Sequence, residues 1–383
     1  MERSIISYFI WTGSSELFSI GPFTLRWNAV LLILAFLISR QVLLHIYKKE
    51  RKPLKDVATL SFYLVMATLV GARLGHVIFY EPELIWSKAL SILLPFEFEP
   101  GFHLLGREEF SIHGATLGIL IFLWLYSRKN KLQQNYLQIV DRVAIVATLS
   151  GVFILMGSFF NSEVTGKPTD SSSGAIFIKP VMKGLLKVPC CIMRSPDGKN
   201  PLDNIAVKKD PASLKSETSH KSIILYLFFK PGASEQLVNE FLIGDVKAYL
   251  YDMAKFVHEP GTEPLHYTIF LEKDGNYVAR IKTLGIARHL VQIFEAFSCL
   301  LLFAFLFAYW HKYKASTPPG RLFGLFMLIF WIFHFTCQYL KETDISFATG
   351  RPFSTVFILN ILFILIGVVV LAFSYRRATT VQA

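Results

Sequence analysis

Residues 24–46 read TLRWNAVLLILAFLISRQVLLHI, and Lys48, Lys49, Arg51, Lys52 and Lys55 follow directly behind them. A helix crossing a bilayer needs about 20 mostly apolar residues, and a helix apolar on every side has lipid around it. Short loops rich in Lys and Arg stay on the cytoplasmic side. This stretch therefore predicts a first span that starts outside and ends inside.

Further apolar stretches near 57–80, 112–127, 137–160, 288–310, 320–341 and 354–375 repeat the pattern. Cations recur after every second span, at Arg128, Lys129 and Lys131, at Lys312, Lys314 and Arg321, and at Arg376 with Arg377. The formal charge of +11 over 383 residues thus reads as membrane topology, with no nucleic-acid partner expected. A composition 53% hydrophobic, with 35 Phe and a mean hydropathy of +0.44, excludes a soluble multidomain protein. No cleavable signal peptide is visible, so the first span is expected to act as its own insertion signal. The predicted fold class is an all-α polytopic membrane protein of about seven transmembrane helices, carrying a small extracytoplasmic α+β insert. Its amino terminus is outside and its carboxyl terminus cytoplasmic.

Three parts follow. Residues 1–161 hold spans one to four, with an apolar, proline-broken interfacial segment at 82–111. Residues 162–287 change composition sharply and form the insert. Within it, Ile223 to Phe229 reads as a buried strand and Ser234 to His258 as one or two helices. Tyr267 to Glu272 and Tyr277 to Lys282, joined by Asp274-Gly275, read as a β-hairpin, while Lys208-Lys209-Asp210-Pro211 reads as linker. Residues 288–383 supply spans five to seven. The four cysteines, Cys190, Cys191, Cys299 and Cys337, have no spacing that suggests a metal site. Neither a metal nor a cofactor is expected.

Orienting the spans assigns a depth to each intramembrane polar residue. Arg73 and His76 fall in the outer half of the second span, His113 opens the third, and Ser158 and Asn161 end the fourth with Glu163 just beyond. Arg288, His289, Gln292 and Glu295 open the fifth, with Arg288, Gln292 and Glu295 expected on one helical face. His334, Gln338 and Glu342 end the sixth. Ionisable groups inside a bilayer cost about 2.5 kcal/mol or more each, and they usually face a bundle interior or cavity. Snorkelling or interhelical pairing explains any one of them, but with Arg26 and Asn28 at the outer start of the first span, six spans converging on one depth indicate a wet, cationic pocket. Small residues at Gly71, Gly75, Gly114 and Gly157 leave room for it or for tight packing. Such a pocket suits a phospholipid headgroup, because Arg forks match phosphate. Arg40, His45, Asp141 and Arg142, at the inner ends, read as ordinary anchors.

The sequence resembles the prolipoprotein diacylglyceryl transferases through an ordered set of blocks. These are Gly21-Pro22-Phe23-Thr24-Leu25-Arg26-Trp27, Gly71-Ala72-Arg73-Leu74-Gly75-His76-Val77 and Ser111-Ile112-His113-Gly114. They continue with Gly157 to Glu163, Gly166 to Thr169, Arg288-His289, Gln292 to Glu295, and Pro319 to Phe326. The resemblance implies a bacterial inner-membrane enzyme. It would move the diacylglyceryl group of phosphatidylglycerol to the lipobox cysteine thiol of a preprolipoprotein, releasing glycerol phosphate. It places the catalytic roles on His113 as base or proton relay and on Arg288, Glu163 and Glu295. Arg73, His76, Gly114, Gly157, Ser158, Asn161, Gly166, His289 and Gln292 would bind substrate, with Arg73 and Arg288 clamping the phosphate. The chain departs from the family pattern at Asn28, Leu155, Ser158, Ala115, Leu290, Phe294, His334 and Gln338. The departure at Leu155 replaces an Arg, so a non-catalytic lipid- or lipoprotein-binding paralogue is the alternative. A transporter fits less well, for want of repeats and midplane charges.

Overall fold

A computed structural model describes residues 8–20, 23–82, 96–97, 103–104, 110–129, 134–161, 166–171, 173–189, 199–210, 219–342 and 355–382. In chain order the chain opens with strands β1 (Phe9–Trp11), β2 (Glu16–Ile20) and β3 (Phe23–Arg26), then helices α1 (Trp27–Lys49) and α2 (Lys55–Phe79). Two short strands, β4 (Phe96–Glu97) and β5 (His103–Leu104), precede α3 (Ile112–Lys129) and α4 (Tyr136–Asn161). Next come β6 (Ala175–Phe177), α5 (Lys179–Leu185), β7 (Leu202–Lys209), β8 (His220–Phe229), α6 (Glu235–Phe241) and α7 (Lys247–Asp252). The strands β9 (Val257–His258), β10 (Tyr267–Leu271) and β11 (Tyr277–Arg288) lead to α8 (Val291–Tyr313), α9 (Arg321–Leu340) and α10 (Thr355–Gln382). The chain divides into a helical unit, Trp27–Ser158, Gln292–Tyr339 and Thr343–Ala383, and a sheet unit, Met1–Arg26, Phe159–Val291 and Leu340–Glu342.

In the helical unit, Leu43, Ile46 and Tyr47 of α1 pack with Val57 and Leu60 of α2, Val143 of α4, Trp310 of α8, Trp331 of α9 and Phe363 of α10. The opposite faces, such as Leu32, Ile33 and Leu37 of α1 and Phe297 and Leu301 of α8, are exposed and apolar. That is the surface a lipid solvent requires. Helices α2 and α3 meet along a glycine seam. A Cβ on Gly71 would lie 2.6 Å from the Gly114 carbonyl oxygen, and one on Gly118 would lie 2.6 Å from that of Ala67. Backbones this close are how helices associate where lipid is as apolar as the side chains.

A polar knot closes one end of this unit. The fully buried carboxylate of Glu50 accepts from Arg142 Nε at 3.0 Å and Nη2 at 2.8 Å, from Trp310 Nε1 at 2.7 Å, and pairs with Lys52 at 2.9 Å. Burial opposes ionisation of Glu50, but Arg142 beside it and the donors from Arg142, Lys52 and Trp310 hold its carboxyl below the ordinary range. Asp141 accepts from the backbone amides of Gly320 at 2.7 Å and Phe323 at 2.8 Å, so a carboxylate sits at the start of α9 where the helix dipole favours it. Asp141 and Arg142 are thus buried structural residues at this end, more than the ordinary anchors expected there.

In the sheet unit the strand order is β1-β6-β11-β8-β7, with β10 and β9 also pairing β11. From strand β8, Ile223, Leu225, Leu227 and Phe229 enter the core against Val238, Phe241, Leu242, Val246 and Leu250, and Ile224 is buried on the other face. Each such side chain contributes about 1.5–3 kcal/mol on burial. Ser234 caps α6 by accepting from the Leu237 amide at 3.2 Å. The hairpin of β10 and β11 turns at Gly275, whose φ of +77° suits a residue without Cβ.

The all-α expectation is corrected by this sheet, which also recruits β1 from the amino terminus because Phe9–Trp11 pairs in parallel with Ala175–Phe177. Lys208 and Lys209 end β7 instead of lying in a linker, since β8 supplies their ladder partners Ile224 and Ile223. Among the described residues six helices are long and apolar enough to cross a membrane, and Ile112–Arg128 is apolar but shorter. Residues 24–26, expected in the first span, pair with β2 instead. Most of the interfacial segment 82–111, and Cys190 and Cys191, lie outside the described residues.

Candidate functional site

The candidate residues separate into two groups, one in each unit. In the helical unit the centre is His113, 1% exposed at the start of α3. Its Nε2 is 3.3 Å from Asn360 Oδ1 on α10, and its Nδ1 is 3.4 Å from the Tyr80 hydroxyl after α2. The His113 ring stacks on Trp331 at 4.9 Å and lies nearly parallel to Phe363 at 5.9 Å. Its backbone position depends on the glycine seam, since Gly114 next to it contacts Gly71 and Gly75.

A second imidazole, His334 of α9, stands edge-on to His113 with ring centroids 6.0 Å apart. Its Nδ1 is 3.0 Å from Glu295 Oε1 on α8, and its Nε2 accepts from the Gln338 amide at 3.0 Å. A small cavity beside this pair is lined by Ile112, Leu155, Glu295, Ser298, Phe330 and His334. The same unit buries Arg73, His76, Gln292 and Ser158. His76 Nε2 reaches Glu81 at 3.5 Å, and the Ser158 hydroxyl donates back to the Ile154 carbonyl at 3.3 Å. Gly157 brings α4 against α1, where a Cβ would sit 3.1 Å from Asn28 Cα.

The sheet unit gathers Arg288, His289 and Gly166. Arg288 is the last residue of β11, paired with Ala175, and does not share a helical face with Gln292 and Glu295. The sheet ladder and the bridge from Pro168 to Arg288 keep the chain extended until α8 begins at Val291. The buried guanidinium donates from Nε to the Lys255 carbonyl at 2.8 Å, and from Nη1 to the Gly166 carbonyl at 2.8 Å and Glu342 Oε2 at 2.7 Å. Arg288 therefore ties three segments together. Gly166 is obligatory beneath His289, whose backbone a Cβ would strike, and His289 donates its amide to the Lys167 carbonyl at 3.1 Å. Desolvation lowers the His289 pKa and favours the neutral ring. Asn161 ends α4 in this unit, and Glu163 lies outside the described residues.

Tyr80, Asn360 and Trp331 are partners of His113 that a sequence reading passes over. Asn360 carried a signal, being an amide in the otherwise apolar run Val356–Gly367. His334 and Gln338 were visible as polar residues but not as partners of Glu295.

Comparison with known proteins places this geometry in context. Residues 15–373 match the family model described as prolipoprotein diacylglyceryl transferase. A phosphatidylglycerol–prolipoprotein diacylglyceryl transferase of Chloroherpeton thalassium is 36% identical over 173 residues, covering 45% of this chain and 60% of the relative. The protein of that name from Bacteroides fragilis is 34% identical over 169 residues, 44% of this chain and 60% of its own length. The one from Bdellovibrio bacteriovorus is 27% identical over 332 residues, 85% of this chain and 81% of its own. The chain thus spans about 60% of the length of the first two of these relatives.

Proposed function

The chain belongs to the prolipoprotein diacylglyceryl transferase family, and from that membership we propose that it transfers the diacylglyceryl group of phosphatidylglycerol to the cysteine thiol of a prolipoprotein lipobox. The sulfur forms a bond to the glyceryl methylene, the bond from that carbon to the phosphate oxygen breaks, and glycerol phosphate leaves. The thiol must lose its proton, because the thiolate is the nucleophile and a free thiol has a pKa near 8.5. In this reading His113 takes that proton. The buried Arg73 in the same unit meets the phosphate, and Arg288 holds the 166, 255 and 342 segments in place. Glu295 and Gln292 orient the groups of the helical unit, and the family resemblance is what assigns Asn161 and Glu163 to the reaction.

The observation that carries the reading is the arrangement of His113, a buried ring hydrogen-bonded on both nitrogens in a bundle otherwise made of apolar helices. A histidine is the side chain suited to move a proton near neutral pH. The test is transfer of labelled diacylglyceryl from phosphatidylglycerol vesicles to a lipobox peptide by the purified full chain, with rescue of a transferase-depleted cell as the in vivo counterpart. Absence of transfer by well-folded protein would sink it.

The alternative, a non-catalytic lipid- or lipoprotein-binding paralogue, is favoured by Leu155, an apolar residue in the wall of the cavity beside Glu295 and His334. It predicts phosphatidylglycerol binding without turnover. The same proposal sets the protein in a bacterial inner membrane, amino terminus outside, with α3 as a seventh crossing and residues 162–287 as an extracytoplasmic insert. Loop charge supports that orientation, and the glycine seam against α2 supports a membrane position for α3.

A further inference from the structure

We infer that Asn360 is a positioning residue that holds His113 in the Nε2–H tautomer, leaving Nδ1 as the nitrogen that accepts a proton. Asn360 is fully buried in α10, a helix whose neighbouring side chains are apolar. An amide in such a place costs free energy unless its hydrogen bonds are made. In this arrangement its oxygen, and not its NH2, lies 3.3 Å from His113 Nε2, and because an amide oxygen only accepts, that placement assigns the hydrogen to Nε2. A neutral imidazole has one hydrogen, so the lone pair is on Nδ1, the atom that faces the Tyr80 hydroxyl. Trp331 and Phe363 hold the plane of the ring, which keeps Nε2 directed at α10 and Nδ1 away from it.

The arrangement has a further use once Nδ1 gains a proton. The imidazolium still donates from Nε2 to Asn360, now as a stronger charge-assisted bond, and its positive charge lies over the Trp331 face. Asn360 thus favours the charged form without itself meeting substrate. The Asn360 Nδ2 atom has no hydrogen-bond partner among the described residues, so the oxygen's contact with His113 is the one hydrogen bond shown for this amide. This inference rests on the transferase reading only for the identity of the proton, which there is the thiol proton. The tautomer itself is independent of it.

The experiment uses the full chain in detergent micelles with ring-15N histidine, the His113 signals being assigned by their loss in His113→Gln. The expected wild-type spectrum shows a protonated Nε2 and an unprotonated Nδ1. Asn360→Leu, close in volume, should convert this to a tautomer mixture and lower kcat for diacylglyceryl transfer about tenfold, with KM for phosphatidylglycerol unchanged. Asn360→Asp, which keeps an acceptor at the same point, should restore both the single tautomer and the rate. A wild-type spectrum with the hydrogen on Nδ1, or one that Asn360→Leu leaves unchanged, overturns the inference. A wild-type chain with the expected spectrum and no transfer would overturn the transferase reading and leave the positioning of His113 supported.

Discussion

Glu295 and His334 meet at 3.0 Å between α8 and α9, both side chains nearly out of reach of solvent. A buried carboxyl left without its hydrogen-bond donor costs about 1–3 kcal/mol. His334→Ala should therefore lower the melting temperature of the detergent-solubilised protein by several degrees. His334→Arg, which keeps a donor for Glu295, should lower it far less. Equal losses in the two variants would show that packing against Phe330 and Trp331, not the pair, sets the effect.

Substitution of His113 by Ala should reduce the transfer rate at least tenfold, or about 1.4 kcal/mol of barrier, with the thermal unfolding curve little moved. Unchanged transfer kinetics would remove His113 from the reaction.

The glycine seam makes a steric prediction. Gly75→Ala and Gly114→Ala each put a Cβ into the backbone of the facing helix, so α2 and α3 must separate. Overpacking of this kind typically costs about 1–3 kcal/mol. Gly244→Ala, where nothing lies within 4 Å, is the control and should leave the melting temperature in place.

The Glu50 knot predicts an acid sensitivity with a definite sign. A carboxyl held below its ordinary value of 4.5 contributes stability that is complete above that value and is lost as pH falls through the folded-state value. Wild-type melting temperature should drop when the protein is taken below about pH 4.5, and Glu50→Gln should start lower and respond less. Identical acid slopes in the two proteins would refute this role.

Arg288 should not tolerate Lys. Its guanidinium serves the Lys255 and Gly166 carbonyls and Glu342 from different nitrogens, and an ammonium is a single point of donation. Limited proteolysis of the sheet unit is expected to accelerate in Arg288→Lys and in Glu342→Gln alike.

Much of the architecture is readable from hydropathy alone, because lipid demands an apolar helix surface and loop charge marks the ends. The β10–β11 hairpin was equally legible, since Asp274-Gly275 sits between two β-rich runs. Arg288 was misplaced because a 12-residue strand runs to within three residues of a span, and a hydropathy window cannot see where strand becomes helix. The strand β1 was missed because its partner lies far along the chain, at residues 175–177. Glu50 and Arg142 are 92 positions apart, and nothing local to either announces the other. Asn360 illustrates the same limit within the site, where a partner is defined by three-dimensional proximity to His113 and not by spacing.

The pairing of β6 with β11 has a consequence for how this protein can change over time. Ala175 faces Arg288 and Ile176 faces Ala287, so the chain departs and comes back across two adjacent rungs of the ladder. The stretch between these rungs, 177–286, is a loop of the chain whose two ends are held together at its base. Lengthening such an excursion costs little, since closure entropy grows only with the logarithm of its length. Changes of length between the rungs are therefore cheap in entropy, while the two rungs preserve the register on which Arg288 depends.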